Sequence, residues 1–228
     1  MPPGIDAVPI PDAVLFDLDG TLVDTVATRI EAWLEALADA DLLTTRDQLA
    51  PLIGVDGKRL AREIAALAGR PIDEARAEEI DRRSGEIYER LNRSPRPLPG
   101  VRRVVEAIEA RGIAWAIATS SRKEQVSASV AALGLANEPT IVDASRVEHA
   151  KPEPDLLLFA AKEVRVEPAR CWYVGDSTWD MVSAVAAGMI AIGVVAGSAV
   201  DPGVLEGAGA AAVVPTLNEV AGALGRDA

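Results

Sequence analysis

Only one cysteine, Cys171, and one histidine, His149, occur in this chain. A single thiol excludes an internal disulfide and argues for a reducing compartment. It lies in the apolar stretch Cys171-Trp172-Tyr173-Val174, where a thiol reads as a small buried side chain rather than a nucleophile. Aromatic residues are scarce, at 4%. Alanine and valine must therefore close most of the core, as suits helices packed closely on a sheet. Positive charge is also short. The formal net charge of −12 argues against non-specific binding to nucleic acid or to an anionic membrane surface. No apolar run reaches the roughly 20 residues that cross a bilayer. Met1-Pro2-Pro3-Gly4 carries neither the basic region nor the apolar core of a signal peptide, and reads as a frayed lead-in. A cytoplasmic protein, monomeric or homodimeric, is expected.

What is present is a large apolar fraction, 49% of 228 residues. That is enough for one large domain, or one domain with a smaller insert. Short apolar runs that read as buried strands fall at Ala13–Phe16, Ile113–Ala118, Thr140–Val142, Cys171–Val174, Ile190–Val195 and Ala211–Val214. Helical patterns alternate with several of them; Val101, Val104, Val105 and Ile108 follow the helix period after Pro99-Gly100. This alternation predicts an α/β fold, a Rossmann-like parallel sheet with helices on both faces. Residues 25–96 differ, showing helical periodicity only. Ile30, Trp33, Leu34 and Leu37 form one stripe, and Leu60, Ile64 and Leu67 another. A charged third segment, Asp73 to Arg93, carries Ile80, Ile87, Tyr88 and Leu91 on one face. It ends at the linker signal Ser94-Pro95-Arg96-Pro97-Leu98-Pro99-Gly100. The expected organisation is a core of residues 1–24 and 97–228 with an all-helical cap at 25–96.

Four polar stations stand at the ends of predicted strands. Asp17-Leu18-Asp19-Gly20-Thr21 follows Val14-Leu15-Phe16. Carboxylates two residues apart on a strand point to one side, and such a pair needs water, a metal or a partner. A solvated turn is the plain alternative. Thr119-Ser120-Ser121 precedes a helix with Arg122 and Lys123 in its first turn; it is either an anion site or an N-cap. Lys151-Pro152-Glu153-Pro154-Asp155 opens an apolar helix, where a lysine works against the helix dipole and serves a ligand or only solvent. His149, two residues upstream, has no evident partner. Gly175-Asp176-Ser177-Thr178-Trp179-Asp180 places two more acids where a helix begins. Hard oxygen ligands suit Mg²⁺, and an N-cap with a first-turn acid is the alternative. In a parallel sheet these strand ends share one edge, the edge at which ligands bind.

The four stations in this order resemble the haloacid dehalogenase-like hydrolase superfamily. Asp17 to Asp24 matches its first motif, DxDGTLxD. Thr119 matches the second, Lys151 the third, and Gly175-Asp176-Ser177 with Asp180 and Ala187-Gly188-Met189 the fourth. The helical insert is similar to the cap of the phosphoglycolate phosphatase and β-phosphoglucomutase branch. The resemblance implies a phosphatase acting on a small phosphorylated metabolite through an aspartyl phosphate. Asp17 is then the nucleophile and Asp19 the general acid and base. Thr119 and Lys151, with Gly20 and Ser120, hold the phosphoryl group. Asp17, the Asp19 main-chain carbonyl and Asp176 bind Mg²⁺, with Asp180 assisting. Gly57, Lys58 and Arg59 in the cap are the expected substrate contacts, the two cations either facing a second anionic group or marking an exposed helix start. A phosphomutase keeps the same four stations, though Thr21 points to hydrolysis. A metal-free 2-haloacid dehalogenase is disfavoured by Asp19 and Asp176.

Overall fold

The computed structural model describes residues 4–226; the lead-in at Met1–Pro3 lies outside the described residues. Six parallel strands form one sheet in the order β3-β2-β1-β4-β5-β6. They are β1 (Ala13–Phe16), β2 (Ala114–Thr119), β3 (Ile141–Asp143), β4 (Cys171–Gly175), β5 (Ile190–Val194) and β6 (Ala212–Val214). Each predicted strand is present, and bounds move by one residue at most of them. The shift at β2 takes Thr119 into the strand end.

Alternation of side chains along β1 explains the two-faced core. Val14 and Phe16 join one apolar cluster with α5 (Val101–Arg111), α6 (Lys123–Ala132) and α10 (Leu217–Leu224). Ala13 and Leu15 join another with α7 (Asp155–Val164), α8 (Thr178–Ala186) and α9 (Pro202–Gly207). Strands buried on both sides need unbroken apolar runs, which is why all four residues of β1 are fully buried. The chain runs from β1 outward to β3, then crosses back to β4 on the other side of β1. Such a reversal opens a crevice at the carboxyl ends of the strands.

Between β1 and α5 lie α1 (Val26–Asp39), the one-turn α2 (Arg46–Leu49), α3 (Gly57–Leu67) and α4 (Glu74–Leu91). They share an apolar cluster of their own, with Ile30, Trp33 and Leu37 against Leu60, Ile64, Ile80 and Tyr88. Two sequence expectations fail here. Leu67 is 68% exposed and Leu91 39%, because each is the last residue of its helix and has no facing element beyond it. The connecting segments run side by side: Leu98 donates its N–H to the Leu22 carbonyl, and Asp24 to the Arg96 carbonyl.

Candidate active site

Asp17 leaves the end of β1 with its N–H donated to the Val174 carbonyl of β4 at 2.9 Å. That bond places the nucleophile candidate in the crevice beside Asp176. Gly20 then turns the chain at φ 87°. A Cβ there would stand 2.3 Å from Asp176 Oδ2, so the close approach of the two acidic loops requires glycine. Thr21 donates to Asp176 Oδ1 at 3.0 Å and orients that carboxylate.

Lys151 is fully buried. Its Nζ donates to Asp17 Oδ1 at 2.5 Å, to Asp180 Oδ1 at 2.7 Å and to the Tyr173 hydroxyl at 2.9 Å. It stands four residues ahead of α7, outside the helix, and the plain surface-lysine alternative does not hold. Burial opposes its charge, but Asp17 and Asp180 more than offset this and hold the ammonium well above its ordinary pKa. Asp17 is pushed up to about 7. Burial is the main cause; Lys151 works against it, and the Asp180 and Asp19 charges add to it. Burial, with Asp180 and Asp17 close by, also raises Asp176 well above the usual carboxylate range.

Asp180 is held differently. Ser177, and not an aspartate, is the N-cap of α8, and it makes a capping box with Asp180. Asp180 Oδ2 accepts from the Asp176 N–H, the Ser177 N–H and the Ser177 hydroxyl. Its Oδ1 takes Lys151 and lies 3.2 Å from the Tyr173 hydroxyl. Both oxygens are thus engaged by protein donors.

Carboxylate oxygens of Asp17, Asp176 and Asp180 lie within 4.8 Å of one another. Such an all-oxygen donor set fits a hard divalent cation such as Mg²⁺. Asp17 and Asp176 line the crevice, whereas the Asp180 oxygens already accept from Lys151 and from the Asp176–Ser177 loop.

Asp19 faces the helical insert. Its Oδ1 accepts from Thr25 at 2.6 Å and Tyr88 at 2.8 Å; its Oδ2 accepts from Arg29 at 2.8 Å and Ser121 at 2.7 Å. Burial works against ionisation here, but Arg29 and these hydrogen bonds overcome it and hold Asp19 below the usual carboxylate range. Arg29 also stacks over the Tyr88 ring at 3.4 Å. Arg29, Tyr88, Thr25 and Tyr173 were not singled out from the sequence. Thr25 directly follows the first motif, which is a local signal; Tyr88 and Tyr173 read only as helix stripe and strand core, and Arg29 falls outside the apolar stripe of its helix.

Thr119 is buried and its hydroxyl accepts the Ser121 N–H at 3.1 Å. The residue capping α6 is Arg122, without a side-chain cap bond, so the N-cap alternative for Thr119-Ser120-Ser121 fails and Arg122 stands before the first turn. The Ser120 hydroxyl is buried without a hydrogen-bond partner. Thr119, Ser120, Asp17, Asp19, Asp176 and Gly57 line one cavity of about 70 Å³. Lys58 instead pairs with Glu74 at 2.9 Å, and Arg59 pairs with Glu63 and covers the Trp179 ring. Neither lines this cavity. His149 is exposed, 3.6 Å from Asp155. Cys171 is buried, and burial raises its thiol to about 11.

Residues 14–194 match the family model described as haloacid dehalogenase-like hydrolase. A phosphoglycolate phosphatase of Xylella fastidiosa is 33% identical over 78% of each chain. A β-phosphoglucomutase of Bacillus subtilis is 30% identical over 80% of this chain and 82% of its own. A crystal structure of a hydrolase from Pseudomonas syringae superposes with a TM-score of 0.86 at 31% identity, over 93% of this chain and 97% of that one.

Proposed function

The chain belongs to the haloacid dehalogenase-like hydrolase family and is a phosphatase, and from that premise we propose that it hydrolyses a small phosphorylated metabolite through an aspartyl phosphate on Asp17, with Mg²⁺. The observation that carries this reading is the buried Asp17–Lys151 pair at 2.5 Å, set among further carboxylates at one sheet edge. An acid so placed is oriented for attack, and the neighbouring cation offsets charge that a phosphate brings.

Asp17 Oδ attacks phosphorus in line with the ester oxygen. The P–O bond to the leaving group breaks, and that oxygen takes its proton from Asp19, which must first have been protonated with the Arg29 and Tyr88 donors moved off it. Water then attacks the aspartyl phosphate, Asp19 takes its proton, and phosphate departs to restore Asp17. Thr119 and Ser120 would hold phosphoryl oxygens, with the Gly20 turn keeping the crevice open for them. Bound Mg²⁺ supplies the positive charge that lets a carboxylate approach a phosphate dianion. Asp17, Asp176 and the Asp19 main-chain carbonyl would hold it.

With Arg29, Tyr88, Thr25 and Ser121 on both its oxygens, Asp19 has no free lone pair directed at a substrate. Proton transfer therefore requires the insert to shift. We read residues 25–96 as a cap hinged on the paired segments at Leu22–Asp24 and Arg96–Leu98, which admits substrate when open and excludes water when closed.

The test is release of inorganic phosphate from an aryl phosphate and from phosphometabolites by purified protein with Mg²⁺. Chelation should abolish it, and Asp17→Asn should lower turnover by about three orders of magnitude or more. Oxygen-18 from water should appear in the released phosphate. Interconversion of sugar-phosphate isomers with little free phosphate would instead identify a mutase, and halide release from a 2-haloacid without metal would overturn the phosphatase reading.

A further inference from the structure

Tyr173 takes no part in the chemistry described above, yet its hydroxyl touches three of the four polar stations. It accepts from Lys151 Nζ at 2.9 Å, donates to the Ala118 carbonyl at 3.0 Å and lies 3.2 Å from Asp180 Oδ1. Ala118 directly precedes Thr119 at the end of β2. Lys151 carries the contact on to Asp17, the fourth station.

The sheet leaves room for this reach. Tyr173 on β4 stands beside Leu15 of β1, and Leu15 beside Ala116 of β2. The Tyr173 side chain must therefore pass β1 to meet the Ala118 carbonyl. Ala116 and Ala118 are fully buried on the same face as Tyr173, and neither has a side chain beyond Cβ to obstruct the ring. Burial raises the Tyr173 phenol well above its ordinary pKa; Lys151 opposes this, and the Asp180 and Asp17 charges add to it. The group stays a hydroxyl, with one proton to donate and lone pairs that accept.

A buried tyrosine hydroxyl needs a partner, and the Ala118 carbonyl alone would satisfy it. The donors on Lys151 give it a larger part. An ammonium carries three N–H groups. Here they meet three acceptors: Asp17 Oδ1, Asp180 Oδ1 and the Tyr173 hydroxyl. The carboxylates supply the charge, and the third acceptor fixes where Nζ stands between them. Lys151 in turn holds Asp17 Oδ1, so the position of Nζ sets the direction of that carboxylate. We infer that Tyr173 is a positioning residue, whose hydroxyl sets Lys151 on Asp17 and thereby aims the attacking carboxylate. The inference rests on the phosphatase reading for its effect on turnover, and not for the placement of Lys151.

Tyr173→Phe removes the oxygen and keeps the ring. Lysine labelled with nitrogen-15 reads the ammonium directly by NMR, with chelator present and no substrate. The chain has four lysines, and Lys58, Lys123 and Lys162 all reach solvent. Their protons exchange rapidly with water, so an ammonium signal that persists near neutral pH belongs to Lys151. It should persist in the wild type. In Tyr173→Phe one N–H loses its acceptor, and exchange should quicken about tenfold or more. With Mg²⁺ and an aryl phosphate, kcat should fall about tenfold or more at a little-changed KM, the scale of one hydrogen bond to a charged group. Ile192→Val, a loss of packing in the buried part of β5, controls for stability. It should lower the melting temperature and leave both kcat and the ammonium signal as they are. An ammonium signal equally persistent in Tyr173→Phe, or a kcat within about twofold of the wild type, would overturn the inference. So would a wild-type Lys151 ammonium that exchanges as fast as the solvent-exposed lysines, a result that needs no variant. Failure of the wild type to release phosphate would overturn the phosphatase reading alone, because the ammonium signal still tests the placement.

Discussion

Asp180 illustrates how a side chain's neighbours decide its role. Its carboxylate is 1% exposed and faces an equally buried Lys151, with main-chain N–H donors on the other oxygen. Asp180→Asn would bring an amide N–H₂ against either the ammonium or those donors. Breaking a buried pair in this way costs about 3–5 kcal/mol. Urea unfolding should show that loss, and a loss under about 1 kcal/mol would mean that Asp180 does not hold Lys151. Gly20→Ala tests the other end of the site. The new Cβ would meet Asp176 Oδ2 at a backbone angle that L-residues avoid. A lower melting temperature and weaker Mg²⁺ binding are expected together. Unchanged Mg²⁺ affinity would mean that the contact between the two acidic loops does not shape the metal site.

Among the elements, α1 and α4 do more than pack. They carry Arg29 and Tyr88 to Asp19, and α4 presents Glu78 and Asp81 to Arg122. Closure of the insert on the sheet is thus fastened by ion pairs at two places. Arg122→Glu would set like charge against Glu78 and Asp81. Hydrogen exchange in α4 should then quicken, and KM for the preferred substrate should rise, because closing the cap would draw on substrate binding energy. Exchange rates equal to those of the wild type would argue that the insert is not a moving lid.

For the molecule as a whole, pH and metal are linked through the raised acids. Asp17 stands at about 7 in the folded protein against an ordinary 3.8. A carboxyl raised on folding contributes stability that is full below 3.8 and is lost as pH rises toward about 7. Asp176 acts in the same direction. Asp19, lowered on folding, acts oppositely, and its contribution is lost only as pH falls below the usual carboxylate range. Between these limits the metal-free protein should lose stability with rising pH. Mg²⁺ needs the ionised acids, so it should bind with proton release and stabilise more at higher pH. Thermal melts at about pH 5 and pH 7.5, with chelator and with Mg²⁺, test this. An Mg²⁺-induced rise in melting temperature that is the same at both pH values would refute the link.

The amino-acid order alone determined the alternation of strands and helices, the helical insert and the four polar stations. Those features are local: an apolar run, a helix period, or two acids at fixed spacing. Val14-Leu15-Phe16 is legible as a buried strand because burial on both faces demands an unbroken apolar run. Asp17, Asp19 and Asp176 were legible because charge at the end of such a run is out of place without a purpose, whereas Lys151 read from its own surroundings as a surface lysine and stood out only through the family resemblance. Arg29 and Tyr88 were not legible, since neither a charged helix position nor an apolar stripe says what lies opposite it. Lys58 looked like part of an anion site because sequence shows its charge but not the Glu74 of the next helix that pairs with it, whereas the Arg59–Glu63 pair four residues apart on one helix was readable locally. Only the tertiary structure could bring Asp17, Asp176 and Asp180 within reach of one cation and set Lys151 between Asp17 and Asp180. Each of those outcomes depends on contacts between residues far apart in the chain, which no local pattern encodes.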